Sequence, residues 1–134
     1  MNEYCIANDT GYYRQADQLK EFAYLEEEID EDEQLLMAMT ADNLYDENSS
    51  PIWNGTVTIV FTDTRMIYGK KGLFNLNGGI RSIPIGSIKE VKLLPFGNFE
   101  NKLLIKAPGQ QILFGLNKAN SENVLKHIED ILNK

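Results

Sequence analysis

Between Thr56 and Thr62 the side chains Val57, Ile59 and Phe61 alternate with Thr56, Thr58 and Thr62. Successive side chains of an extended chain point to opposite faces, so a period of two describes a strand with one face on a core. The β-branched content of the stretch agrees. Thr62-Asp63-Thr64-Arg65 supplies a turn, and with neither Gly nor Asn at its centre a longer connection is expected rather than a tight primed turn. A second strand over residues 65–70 then runs out at Lys71-Gly72. A hairpin of this kind needs further strands to bury its apolar face.

Those strands follow at close intervals. Residues 80–85, 88–94, 102–107 and 111–116 are short and apolar-rich, separated by turn chemistry such as Asn77-Gly78-Gly79 and Pro108-Gly109. Pro fixes φ and Gly accepts the left-handed position, so Pro108-Gly109 predicts a type II turn. One further strand precedes the hairpin, in residues 34–39, and a polar stretch over residues 42–51 reads as a long loop. Beyond Asn117 the period becomes helical: Val124, Leu125, Ile128, Ile131 and Leu132 form one stripe, with Asn120 or Ser121 available as N-cap. Seven strands and a closing amphipathic helix predict a mainly β, α+β chain, built as a seven-stranded antiparallel sandwich or partly open barrel capped by its C-terminal helix.

The N-terminal part has another texture. Residues 1–12 are polar and irregular, and we expect them to be loosely held. Ala16, Leu19, Phe22, Ala23 and Ile29 then trace an apolar stripe on an extra N-terminal helix over residues 14–29. The acidic run of residues 26–33 falls where the helix dipole disfavours negative charge, so the helix is expected to end there. Residues 1–50 hold fourteen Asp and Glu against Arg14 and Lys20, a balance of −12, while the remainder is +5 and the whole chain −7. An acidic segment is thus joined to a mildly basic body. It reads either as a solvated linker or as a cover lying across the basic body.

Chain length, 134 residues, suits one packed unit. The start lacks the basic and apolar regions of a secretion signal and no apolar run approaches a membrane span, so the expected location is cytoplasmic. Lone Cys5 has no internal disulfide partner and His127 no companion for metal or base chemistry. There is no paired-cysteine or paired-histidine metal motif. Gly69-Lys70 lacks the Gly five positions earlier and the Ser or Thr that a phosphate-binding loop needs. The acidic run lacks the Gly and ordered alternation of a calcium loop. Neither an enzyme nor a cofactor or metal protein is expected, and a sequence pI near 4.7 speaks against nucleic acid as partner.

Taken in order, an acidic lead-in and first strand, "GTVTIVFTDTRMIYGKKG", "IRSIPIGSIKEVKL", two more strands and a terminal helix resemble the bacterial pleckstrin-homology (PH)-like domains, and among them the YokE-like group. Thr62-Asp63-Thr64-Arg65-Met66-Ile67-Tyr68 carries the likeness, together with Ile83-Pro84-Ile85 and Ile88. It spans roughly residues 30–133, which divides the chain into an acidic N-terminal helical extension, residues 1–33, and a PH-like domain, residues 34–134. The resemblance implies a non-enzymatic scaffold that binds lipid head groups, peptides or proteins.

On that reading Lys70, Lys71, Arg81, Lys89 and Lys92 are candidate ligand contacts, Tyr45 and Trp53 offer an aromatic contact surface, and Arg65 pins the hairpin turn beside Asp63. For Trp53 the alternative is to cover the edge of the core. The leading expectation is protein–protein contact, self-association included. The alternative is an anionic-ligand or membrane-surface module, binding lipid head groups, with the acidic N-terminal segment as its cover. Against that alternative, the stretch Asp42-Asn43-Leu44-Tyr45-Asp46-Glu47-Asn48 is acidic where phosphoinositide-binding relatives supply Lys and Arg.

Overall fold

The computed structural model describes residues 4–6, 22–71 and 79–133. In chain order the elements are β1 (Tyr4–Ile6), α1 (Ala23–Glu26), β2 (Leu35–Tyr45), β3 (Pro51–Thr62), β4 (Arg65–Lys70), β5 (Gly79–Pro84), a 3-10 turn (Ile85–Ser87), β6 (Glu90–Phe96), β7 (Glu100–Ala107), β8 (Gln110–Asn117) and α2 (Lys118–Leu132). The strands form one antiparallel sheet in the order β5-β4-β3-β2-β8-β7-β6, with β1 added to β2. Among the described residues its first and last strands do not pair, so the barrel stays open.

Strand β2 is where the sheet turns back on itself. One side of it pairs with β3 along most of its length; the other pairs with β1 at residues 37–39 and with β8 at residues 42–45. Register shifts flank Leu44, and Asn43 takes a positive φ of 70°. Such bulges bend and twist a strand. The Asn43 side chain stabilises the bend, donating to the Tyr45 hydroxyl at 3.0 Å and accepting the Gly55 N–H at 2.7 Å.

Two apolar layers result. Inside the folded sheet Met37, Met39, Val57, Ile59, Phe61, Met66, Tyr68, Leu103, Ile105 and Phe114 form the main core, closed by Val124 and Ile128 of α2. The predicted alternation is therefore real: Val57, Ile59 and Phe61 all face this core. Val60 breaks the alternation for a reason. It points to the other face, where Ala38, Val60 and Ile67 are covered by Phe22 and Leu25 from the N-terminal segment. Both covering side chains are 0 % exposed. Each contributes about 1.5–3 kcal/mol of apolar burial.

Several boundaries differ from the sequence reading. The expected loop of residues 42–51 shrinks to residues 46–50, because the bulge lets β2 carry polar residues outward as far as Tyr45. Tyr4–Ile6, expected to be loose, is a strand paired with β2. The long helix expected over residues 14–29 is described only from residue 22, where a single turn, α1, ends at Glu26 as the adverse dipole requires. The remainder of that expected helix, and residues 72–78, lie outside the described residues.

Helix α2 begins earlier than expected. Asn117, not Asn120 or Ser121, is its N-cap, and its side-chain oxygen accepts the Ala119 N–H at 2.9 Å. Ser121 is instead buried, donating to the Lys118 carbonyl and accepting from Asn101. In the first hairpin four residues, 62–65, lie beyond the last pair Phe61↔Met66, which is the longer connection expected. Ala107 pairs with Gln110 around Pro108-Gly109, and the Gly109 φ of 76° suits the type II turn.

Candidate binding groove

The β2–β3 turn, β5 and the β7–β8 hairpin converge on a groove of about 550 Å³. Asp46, Glu47 and Ile52 form one wall, Arg81 a second, and residues 106, 107 and 109–112 the third. Asp46 shapes its own turn: one carboxylate oxygen accepts the N–H groups of Asn48 and Ser50, each at 2.9 Å. Glu47 next to it is exposed, as are Lys106 and Arg81. The lining therefore sets two carboxylates against two cations.

Arg81 is held from below. It stands opposite Tyr68 across the β4–β5 ladder, and its guanidinium carbon lies 5.2 Å from the Trp53 ring centroid. Trp53 in turn sits 6.0 Å from the Tyr68 ring, which meets Phe114 edge-on at 5.5 Å. Burial pushes the Tyr68 hydroxyl above its ordinary pKa, opposed by the charge and hydrogen bond of Arg81. The stack orients a cation at the groove edge through cation–π attraction.

The five cations expected to act together are divided. Lys70 and Lys71 sit at the end of β4, and Arg81 lies on β5 at one free side of the sheet. Lys89 and Lys92 belong to the opposite terminal strand, β6, and its lead-in. Lys92 lies 3.7 Å from Glu90, and Lys89 borders a separate groove of about 230 Å³ between β6 and α2 that also presents Glu90 and Glu129. Trp53 is only 5 % exposed, so it forms the floor under Arg81 and the edge of the core. Tyr45 packs its ring 4.2 Å from the Lys102 ammonium, with Phe96 on the other side at 4.0 Å.

Arg65 does pin the first hairpin, but its partner is Glu33, not Asp63. Its terminal nitrogen reaches Glu33 at 2.7 Å and the Glu28 carbonyl at 2.6 Å, with the Asp30 carboxylate 3.9 Å away. Glu33 also accepts the hydroxyls of Thr62 at 2.6 Å and Thr64 at 2.7 Å. The arginine holds its carboxyl well below the usual carboxylate range, and burial opposes this without prevailing. Asp63 instead accepts the Gln34 N–H at 2.9 Å. Among the described residues the ion pairs of the acidic run go to Arg65, at the far end of β4 from Lys70.

Sequence reasoning singled out neither Lys106 nor Glu33. Lys106 stands two residues before a Pro-Gly turn, a position that signals a hairpin tip and nothing more. Glu33 was hidden in a run of like residues. Among the described residues no group of three or more His, Cys, Asp and Glu is placed to hold a metal ion. No described helix is long and apolar enough to cross a membrane.

No protein-family model and no curated protein sequence matches the chain. Solved structures do resemble it. A DUF1696 family protein with a pleckstrin-homology domain from Shewanella loihica PV-4 superposes with a TM-score of 0.55 at 17% identity, covering 98% of this chain and 99% of that one. A pleckstrin homology domain from Shewanella amazonensis SB2B gives 0.57 at 20% identity, covering 86% and 97%. The Vps36 N-terminal PH domain gives 0.56 at 17%, covering 79% and 86%. The fold is PH-like.

Proposed function

We propose that this chain is a non-enzymatic PH-like module, akin to the YokE-like group, that works by contact with polypeptide, a second copy of itself among the possible partners. The mixed lining of the groove carries this reading. A polyanionic head group meeting Arg81 and Lys106 would also meet Glu47 and Asp46, and like charges at that range cancel the attraction. An extended peptide with both charge signs satisfies all four. Strand β5 beside the groove favours the same partner, since its outer side is unpaired among the described residues and its exposed backbone can accept an added strand.

The test is a nuclear magnetic resonance titration of the intact protein. One probe is a synthetic peptide in which valine alternates with glutamate and lysine; the other is inositol hexakisphosphate. We expect the peptide to shift the Trp53 indole and the amides of Arg81, Lys106 and Gln110, and the polyanion to leave them in place. Shifts produced by the polyanion alone would overturn the proposal.

A further inference from the structure

The covered outer face of β2–β4 lies apart from the groove and behaves as a filled socket. Phe22 and Leu25, one helical turn apart, drop into it over Ala38, Val60 and Ile67. Gly69 makes room: a Cβ there would come within 3.1 Å of the Leu25 Cδ2 atom and within 3.0 Å of the Gly79 carbonyl oxygen. Eight residues after Leu25, Glu33 lands on Arg65, Thr62 and Thr64. An aromatic, an aliphatic and a carboxylate thus read three fixed points on the sheet.

Residues 22–33 are attached as a ligand would be. Their backbone hydrogen bonds close within the segment, from Leu25 and Glu26 to Phe22, from Glu28 to Leu25, from Ile29 to Glu26 and from Glu33 to Asp30. No ladder joins this stretch to the sheet among the described residues. It is held by the apolar plug, by the Arg65 contacts with Glu33, Asp30 and the Glu28 carbonyl, and by the Thr62 and Thr64 hydroxyls on Glu33. Residues 26–33 meanwhile crowd seven carboxylates together, and their mutual repulsion works against the docked state.

We infer that this face is a peptide-docking surface occupied in cis by residues 22–33, and that its partner in trans is a short helical segment of another polypeptide bearing an aromatic and an aliphatic residue one turn apart and a carboxylate that reaches Arg65. The cis segment is the competitor that such a partner displaces. Because the plug carries its own backbone hydrogen bonds, exchange leaves no strand unpaired.

The probe is a fluorescent synthetic peptide of residues 20–34, followed by anisotropy against the full chain and against the full chain carrying Phe22→Ala with Leu25→Ala. The peptide is expected to bind the double variant at least tenfold more tightly than wild type, and to lose at least tenfold when it carries Glu33→Gln. A folded double variant that ignores the peptide, or wild type binding it equally well, overturns the inference. Hydrogen exchange keeps the question decidable if the double variant fails to fold. In the full chain carrying only Glu33→Gln, amides of residues 22–33 should exchange at least tenfold faster while those of β7 and β8 keep their wild-type rates. Exchange of both sets together would mean that the segment is ordinary core, and the inference would fall. Neither readout involves the groove, so the two proposals fail separately.

Discussion

Gly115 carries a constraint that its place in an apolar strand conceals. It pairs with Asp42 on one side and Lys102 on the other, at the point where β2 turns from one half of the sheet to the other. A Cβ there would collide with the Asp42 carbonyl oxygen and come within 2.7 Å of a Glu100 carboxylate oxygen. Glu100 has little room to give, because that oxygen is buried without a partner, and burial together with the charge of Asp42 raises its pKa. Gly115→Ala should therefore destabilise the fold by about 1–3 kcal/mol, the usual range for overpacking, as measured by denaturant unfolding. An unchanged midpoint would show that the β2–β8 contact is looser than described. Lys102 on the neighbouring strand illustrates the same blindness of sequence. It reads as a surface lysine, yet is 6 % exposed with its ammonium between two rings.

Among the elements, the hairpin of β3 and β4 was legible because its alternation is a direct imprint of the pleat, and α2 because its stripe has only one way to face the core. Legibility failed where a side chain rather than the backbone period sets the structure. Asn43 prolongs β2 through a polar stretch that otherwise reads as a loop, and β1 is too short to show a period. The acidic segment failed for another reason: seven like residues hide the one, Glu33, that is buried. Its carboxyl is held below the ordinary value of about 4.3. It therefore adds stability in full above that range, and the contribution is lost as pH falls through it. Wild type should lose more stability between about pH 5 and pH 2 than Glu33→Gln does. At neutral pH Arg65→Ala, which strands a buried charge, should cost roughly 3–5 kcal/mol. Equal acid sensitivity in wild type and Glu33→Gln would contradict the buried Glu33–Arg65 contact.

At the scale of the whole molecule the open barrel has two terminal strands whose outer sides are unpaired among the described residues, and a groove whose charges nearly balance. The class of fold could be read from period and punctuation, because the connections after β4 carry Gly, Pro or a change of period. The groove could not. Arg81 was singled out as one of five cations, but clustering in sequence put Lys89 and Lys92 with it, and folding sends those two to the opposite edge. Asp46, Glu47 and Lys106 reach the same groove from positions about 60 residues apart in the chain, and no local pattern announces that meeting.

The central claim is that this molecule recognises polypeptide in preference to an anionic surface, with Arg81 as anchor. Isothermal titration tests it most directly, with intact wild type and Arg81→Glu each titrated with the alternating valine, glutamate and lysine peptide and with phosphatidylserine vesicles, at low and at high salt. Saturable heat is expected with the peptide, its loss in Arg81→Glu, and none with the vesicles. Salt-sensitive binding to the vesicles without binding to the peptide would contradict it.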